Sequence, residues 1–305
     1  MGNFILGRLL QAVLTLFVVS LFIFLLVRLT GDPKQVLLPI EASIEQYAQL
    51  EKALGLDDPL PEQYVRWVGK MLVGDFGTSS SRQIAVSQLL RERFPNTLML
   101  AGSGFFLAIA VGLPLGVLSA AHRGRGTDVS ARVFAILGQS MPSFWLGIML
   151  LMLFPVRLGV LPAGGKSGWT SIILPAVTLG WFSTASLLRL TRSTMMETLS
   201  SDYVKLARIK GLSERTVIWK HAFKNAALPV LTLASLLLFG LITGTIIAET
   251  VFAWPGMGSL VLSAVVNRDF VVVQALVIVI SAMYIFGNLT VDILYAFLNP
   301  RIRYG

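Results

Sequence analysis

The run Ala226–Ala248, AALPVLTLASLLLFGLITGTIIA, carries no charged side chain. A helix of that length is long enough to cross the hydrocarbon core of a bilayer, which takes about 20 apolar residues. Working outward, five further stretches read in the same way or nearly so: Leu9–Val27, Thr97–Ala121, Val133–Phe154, Ile172–Leu188 and Val271–Leu298. Ile172–Leu188 is the shortest and contains Pro175. Val133–Phe154 contains Pro142 and runs into Pro155, so a kink or break is expected there. In lipid every backbone N–H and C=O must find a partner inside the segment, which a helix provides. The sequence predicts an all-α polytopic membrane protein with six transmembrane helices.

Composition agrees. Of 305 residues, 55% are hydrophobic and 13% charged, where an average soluble domain carries about 25% charged; mean hydropathy is +0.75. These values exclude a disordered chain and argue against a water-soluble enzyme. With no cysteine, disulfides, zinc–thiolate sites and thiol catalysis are excluded. His122 and His221 are the only histidines, so no metal site is expected. Leu9–Val27 is too long for the apolar part of a signal peptide, and no small-residue cleavage site precedes Thr30–Pro33, so it reads as a retained span.

Six spans put the N-terminus, the 2–3 loop, the 4–5 loop and the C-terminus on one side. That side holds Arg8, then Arg123, Arg125 and Arg132, then Arg189, Arg192, Lys205, Arg208, Lys210, Arg215, Lys220 and Lys224, and finally Arg301 and Arg303. Its acids are Asp128, Glu197, Asp202 and Glu214. The segment after the first span is nearly balanced in charge. The positive-inside rule therefore predicts both termini in the cytoplasm. The chain divides into 1–29, the N-terminal segment and first span; 30–95, extracytoplasmic and partly helical; 96–300, the transmembrane core with an inner loop at 189–225; and a cytoplasmic tail, 301–305.

In the outer segment, Ser43 reads as an N-cap for a helix bearing Ile44, Tyr47, Leu50 and Leu54 and stopped by Gly55, and Pro61 as the opening of a second helix bearing Tyr64, Trp67, Val68 and Met71. In the inner loop, Tyr203, Leu206, Ala207 and Ile209 recur at helical spacing, as do Val217, Ile218, Trp219 and Phe223; Gly211 separates the two runs and Ser213 can cap the second. Such a pair either lies in the headgroup layer or presents a short helix to a partner's groove. Periodicity leaves both open.

Catalytic patterns fail. Gly165-Lys166-Ser167 ends like a phosphate-binding loop, but Val160 stands where the first glycine is required. Ser103, between Gly102 and Gly104, has no histidine at membrane depth; small residues for close helix packing account for it. Arg28, Glu249 and Asp292 lie near predicted span ends, where a charged group can reach the interface. No central chain of acids suggests a proton relay.

Asp202-Tyr203-Val204-Lys205-Leu206-Ala207-Arg208-Ile209-Lys210-Gly211-Leu212-Ser213, followed by His221-Ala222-Phe223-Lys224-Asn225-Ala226-Ala227-Leu228-Pro229, resembles the EAA loop of binding-protein-dependent ABC importer permeases, in the oligopeptide/dipeptide/nickel branch. Lys205, Leu206 and Ala207 occupy the Glu-Ala-Ala places, so only the last alanine agrees, a departure usual in the peptide branch. Further landmarks follow in order: Gly31-Asp32-Pro33, Leu54-Gly55-Leu56-Asp57, Gly74-Asp75-Phe76-Gly77-Thr78-Ser79, Pro142-Ser143-Phe144-Trp145, Leu161-Pro162-Ala163-Gly164-Gly165, Glu249-Thr250-Val251-Phe252, Pro255-Gly256-Met257-Gly258, Asn267-Arg268-Asp269 and Asn299-Pro300-Arg301.

The resemblance implies a type I ABC importer permease bundle in a bacterial plasma (inner) membrane. It implies a subunit without catalysis or cofactor of its own, forming half of a path for a peptide or related small solute. The implied partners are a second permease, two ATPase subunits that hold ATP and Mg, an extracytoplasmic binding protein and membrane lipid. Tyr203, Leu206, Ala207 and Ile209 become the face inserted into an ATPase groove, with Lys205, Arg208 and Lys210 pairing with acids at its rim and Gly211 allowing the reversal. Ser213, His221, Asn225 and Pro229 are assigned to loop architecture, with Asn225 bonding the backbone. Glu249, Pro255, Gly256 and Gly258 are assigned to an outer gate, with Pro255–Gly258 too rich in glycine for a helix. The rival reading is a self-sufficient secondary carrier or channel, which would need no basic helix pair.

Overall fold

The computed structural model describes residues 2–30 and 57–298. The helix expected at Ser43–Gly55, the Gly31-Asp32-Pro33 landmark and the tail arginines lie outside the described residues. Helices make up nearly all of the rest, and the β-structure among the described residues is an isolated antiparallel bridge between Thr78 and Ala85. The chain divides into two compact units, Met1–Pro95 with Gly256–Gly305, and Asn96–Pro255.

In the first unit, α1 (Gly2–Thr30) packs along the C-terminal helix. Next comes α2 (Leu60–Leu72), opened by Pro59 and Pro61, with Glu62 in its first turn and Lys70 in its last, as the helix dipole favours. It places Tyr64 and Trp67 against Phe24 of α1 with ring centroids 5.5 and 5.6 Å apart, and Tyr64 Oη lies 2.7 Å from Ser20 Oγ. The start of α3 (Val86–Ala121) adds Val86 and Leu89 to this unit's core.

The second unit takes the rest of α3, then α4 (Gly126–Ser140) and α5 (Ser143–Leu151), the last widening into a π-helical stretch, Met152–Leu158. A 3-10 turn, Trp169–Ile172, leads into α6 (Ile173–Leu199), and α7 (Asp202–Ile209) follows. The last helix of the unit, α8 (Glu214–Val251), contains a π turn at Val217–Ala222. The first unit closes with α9 (Met257–Val266) and α10 (Phe270–Leu298), which supply Met257, Leu260, Val272 and Leu276 to its core.

Five helices are long and apolar enough to cross a membrane, and six if α4 and α5 count as one broken span. The break, 105°, falls where Pro142 was expected to cause one. Met141, forced out of the helical region by the following proline, is extended (φ −86°, ψ 123°), and Pro142 N-caps α5.

Helix α6 is the most buried of the spans. Against α3 the approach is backbone to backbone: a Cβ on Gly112 would come within 2.8 Å of the Thr184 carbonyl oxygen, and one on Gly116 within 2.8 Å of that of Leu188. Gly104 meets Gly180 in the same way, so of the three small residues at 102–104 it is Gly104 that makes the contact. Ser103 is exposed and returns its hydroxyl to the Met99 carbonyl. Small residues at four-residue spacing are what lets spans approach this closely in lipid, where no hydrophobic drive brings them together.

Two expectations need correction. Pro255–Gly258 is a loop only in its first half: Pro255 and Gly256 are non-helical, Gly256 as an extended N-cap (φ −106°, ψ −175°), and the helix α9 starts at Met257. The apolar Leu260 and Ala264 repeat at helical spacing and bury against the core, which outweighs two glycines at the very start. The inner loop is also more continuous than expected. Residues 189–199 prolong α6, and the second amphipathic run flows through the π turn directly into the apolar part of α8.

Candidate functional site

The inner loop is built around α7. Its inward residues, Val204 and Ala207, are buried in a core with Val117 and Ala120 from the end of α3, Met195 of α6, and Val217, Ala222 and Ala226 of α8. Its outward residues are Tyr203, Leu206 and Ile209, the last 81% exposed, and Leu212 continues the ridge. Ala207 therefore sits on the opposite face from the one assigned to it. With Val204 0% exposed beside it, the small methyl of Ala207 lets α7 lie close against the ends of α3 and α6.

The ends of α7 are set by the turn chemistry read from the sequence. Gly211 adopts φ +77°, a region that costs a side chain about 1–2 kcal/mol, and donates its N–H to the Arg208 carbonyl at 2.9 Å. Ser213 caps the next helix by accepting the Thr216 N–H at 3.4 Å. The Asn225 amide donates to the Tyr203 hydroxyl at 2.7 Å, a side-chain partner in place of the expected backbone one. His221 lies in the π turn, and Pro229 lies within α8, not at its start.

Two of the loop's cations, Lys205 and Arg208, are engaged within the chain, and Lys210 stands at the C-terminal end of α7, its backbone N–H donated to the Leu206 carbonyl at 3.0 Å. Lys205 donates to Asp202 at 2.9 Å, and Arg208 grips Glu214 through two nitrogens at 2.7 and 3.1 Å. The hydrogen bond from Lys205 holds the Asp202 carboxyl below its ordinary value, and that to Glu214 raises the Arg208 guanidinium. Exposed pairs of this kind are weak and exchangeable.

Beside this core is a feature that sequence reading had counted only as two separate charges. Asp128, 1% exposed near the start of α4, receives Arg192 of α6 in a two-pronged pair, Nε to Oδ1 at 2.7 Å and Nη2 to Oδ2 at 3.1 Å. It also accepts the Ser119 hydroxyl at 2.7 Å and the Gly124 N–H at 3.0 Å. One carboxylate thus ties the end of α3, the start of α4 and the inner part of α6. Those α3 and α6 ends carry the wall against which α7 rests. The available signal was that Asp128 is the one acid in an otherwise basic 2–3 loop.

At the far end of the second unit, Glu249 is fully buried and accepts the Thr97 hydroxyl at 2.8 Å, so it does not reach out to an interface as expected. The Trp254 indole donates to the Asn96 carbonyl at 3.0 Å, the Asn96 amide to the Pro255 carbonyl at 2.8 Å, and Lys166 to the Asn96 side chain at 2.8 Å. Gly165 donates to the Phe252 carbonyl at 2.8 Å. In the first unit, Gly256 and Gly258 open α9, and Gly258 is buried.

The first unit has its own buried carboxylate. Asp269 Oδ2 accepts the Ser79 and Ser81 hydroxyls at 2.5 and 2.7 Å and the Ser81 N–H at 3.1 Å, while Oδ1 caps α10 through the Val272 N–H at 3.3 Å. Two landmarks nearly 200 residues apart, Gly74–Ser79 and Asn267–Asp269, meet on this group. Burial acts to raise its pKa, but the four hydrogen bonds outweigh it and hold the carboxyl below its ordinary value.

Family comparison bears on the whole chain. Residues 112–304 match the model of the binding-protein-dependent transport system inner membrane component, and residues 1–101 match its N-terminal counterpart. The chain belongs to this family. Relatives include the glutathione transport system permease protein GsiC of Salmonella paratyphi A, 41% identical, and that of Escherichia coli strain K12, 39% identical, each over the full length of both chains. The fold is similar to that of the inward-facing MetNI methionine ABC transporter (TM-score 0.57, 16% identity, covering 70% of this chain and 97% of that one). An amino acid ABC transporter crystallised with histidines gives a TM-score of 0.51 at 17% identity, over 70% of this chain and 94% of that one. The chain is an inner-membrane, multi-pass permease subunit of a binding-protein-dependent ABC importer. Membership implies ATPase and substrate-binding partners.

Proposed function

We infer that this permease subunit forms half of an import path for a peptide or related small solute, glutathione being the leading candidate from the names of its relatives. Both termini are cytoplasmic, and the loop 189–225 faces two ATPase subunits that hold ATP and Mg. This subunit contributes neither catalysis nor a cofactor. A second permease completes the path, and an extracytoplasmic binding protein delivers the solute.

The observation that carries the reading is the two-faced seating of α7. Its outer ridge, Leu206 and Ile209 with the ring of Tyr203, is an exposed apolar strip suited to a groove, the Tyr203 hydroxyl being held by Asn225. Its inner face is packed on the ends of α3 and α6. A push on the ridge is therefore delivered to two spans that touch backbone to backbone, with Asp128 holding their inner ends together. Lys205 and Arg208, weakly held by Asp202 and Glu214, can exchange those partners for acids on the ATPase.

The test is the double substitution Leu206→Asp, Ile209→Asp in the complete transporter. ATPase subunits should no longer co-purify, or solute-stimulated hydrolysis should be lost, while the chain still inserts and extracts normally. Normal solute-stimulated hydrolysis by the variant would overturn the assignment.

A further inference from the structure

Helix α4 buries one face, made of Asp128, Ala131, Ala135 and Gly138. Their spacing sets all four on one side of the helix. That side lies along α6: Ala131 and Ala135 pack with Leu188, and a Cβ on Gly138 would collide with the Cβ of Ala185. Apart from the carboxylate, nothing on this face is larger than a methyl group. Such a seam permits close approach but offers no interlocking side chains, so it does little to fix where along α6 the helix α4 rests.

Polar links at the two ends of α4 supply what the seam lacks. At the start, both Asp128 oxygens are held by the Arg192 guanidinium at 2.7 and 3.1 Å. At the other end, the Gln139 side-chain carbonyl accepts from Arg189 at 2.8 Å. A two-pronged, planar grip fixes direction as well as distance. Arg132, half exposed, stands 3.7 Å from Asp128 Oδ2, too far for a hydrogen bond. On the flank of the seam, the Phe134 ring meets Trp181 edge to face with centroids 4.6 Å apart. Just past Gln139 comes the 105° break at Pro142, so α4 is the half of the broken span that these links tie to α6. The same carboxylate accepts from Ser119 of α3. Val117 and Ala120 on either side of Ser119, and Met195 one turn beyond Arg192, form the floor under α7.

We propose that Asp128 and Arg192 are positioning residues for the coupling of hydrolysis to transport: their pair sets the register of α4 on α6, so that a push received by α7 moves α3, α6 and the start of the broken span as one piece. If the charge were kept and the planar grip lost, α4 would slip on its smooth seam and the push would fade before the break. The inference rests on the importer reading, under which α7 is pushed by an ATPase. It goes further by naming the joint, away from α7 itself, through which that push reaches α4.

Arg192→Lys separates the two properties, because an ammonium is a point charge without the fork. The chain has no cysteine, so spin labels can be placed at Val133→Cys, on the exposed side of α4, and at Lys220→Cys, exposed on the inner end of α8 beside α7. The distance between them is measured by pulsed electron resonance in the complete transporter, free of nucleotide and trapped with ATP and orthovanadate. With Arg192 in place, the distance should be narrowly distributed and the same in both states. With Arg192→Lys, it should broaden and shift on trapping by about 2 Å or more, the scale of helix shifts in such transitions. A shift in the Arg192 chain, or an unmoved, narrow distance in Arg192→Lys, would overturn the proposal.

A functional arm follows glutathione in proteoliposomes. Arg192→Lys should keep its ATPase subunits on purification and melt close to the original, yet glutathione taken up per ATP hydrolysed should fall roughly three- to thirtyfold. An unchanged ratio would overturn the proposal, since a pair that merely holds the fold together would not move it. Should Arg192→Lys not assemble, Ser119→Ala decides by the same two measurements: it removes one neutral donor, keeps the ion pair and should shift both in the same direction by less, and no shift would overturn the proposal. Failure of the importer reading would look different: orthovanadate would trap no nucleotide on the unaltered assembly.

Discussion

Asp128 and Asp269 are two buried carboxylates handled in opposite ways. Asp128 is matched by a full positive charge, Arg192, with two neutral donors beside it. Asp269 is held by hydroxyls and backbone N–H groups, three from the 79–81 turn and one from the start of its own helix. The difference follows from what each joins. Asp128 links pieces of three helices, where a long guanidinium can reach from α6 while keeping a planar grip. Asp269 links a tight turn to a helix N-terminus, where backbone donors already converge and the helix dipole favours negative charge. A strong ion pair makes a joint that is hard to break; a ring of small donors makes one that depends on local shape.

The comparison breaks most visibly if one member of the Asp128 pair is removed. Arg192→Met leaves a buried carboxylate without its partner and should lower stability by about 3–5 kcal/mol. The double variant Arg192→Met, Asp128→Asn should recover a large part of that loss. Thermal unfolding of the detergent-purified chain measures both, and a double variant no more stable than the single one would contradict the pairing.

Asp269→Asn should cost less, about 1–3 kcal/mol, because neutral donors lose only part of their bonding. Its pH dependence has a definite sign. The carboxyl is depressed in the folded chain, so its contribution is complete above the ordinary value of 3.8 and disappears as the pH falls below that, through the folded value. The gap in melting temperature between Asp269→Asn and the unaltered chain should therefore be constant from neutral pH down to about 5 and close on further acidification. A gap that closes near neutrality would point to another group.

Smaller in stability but larger in function is Gly211→Val. A β-branched residue at φ +77° should cost about 1–2 kcal/mol, felt locally at the end of α7. Solute-stimulated hydrolysis should fall severalfold, and a transporter assay with the ATPases present decides it. The smallest effect is expected from Lys205→Ala, whose exposed pair with Asp202 should leave the melting temperature within error of the original.

Much of the fold was legible because it is written in runs. An apolar stretch must be satisfied within itself in lipid, so span number and the Pro142 break follow from local sequence. The Gly211 turn and the Ser213 cap were legible for the same reason: their chemistry is complete within a few residues. What was not legible depends on residues distant in the chain. The Asp128–Arg192 pair joins positions 64 apart, and only folding reveals it. Glu249 looked like a span-end charge until Thr97 proved to be its partner. Ala207 fitted the outward face of α7 by spacing, yet the choice between the faces was made by Val117, Ala120 and Met195, which α7's own sequence does not mention. At Pro255–Gly258, turn-forming composition marked the non-helical Pro255 and Gly256 but concealed the start, at Met257, of a helix whose stability comes from burial of Leu260 and Ala264.

The π turn at Val217–Ala222 sets a phase. Each residue of a regular helix advances the face by about 100°, and a π turn holds one residue more than the regular winding would place there. Val217, at its start, packs with α7, and Val230 and Ala234, beyond it, pack with Ala108 of α3 and Leu187 of α6; the two sets are therefore keyed to each other by a one-residue offset and not by an unbroken helical count. Removing a single residue inside 217–222 would leave the apolar composition intact, yet would turn the inner end of α8 by about a quarter of a revolution against its outer end. For this stretch of chain, length is a more exacting requirement than residue type.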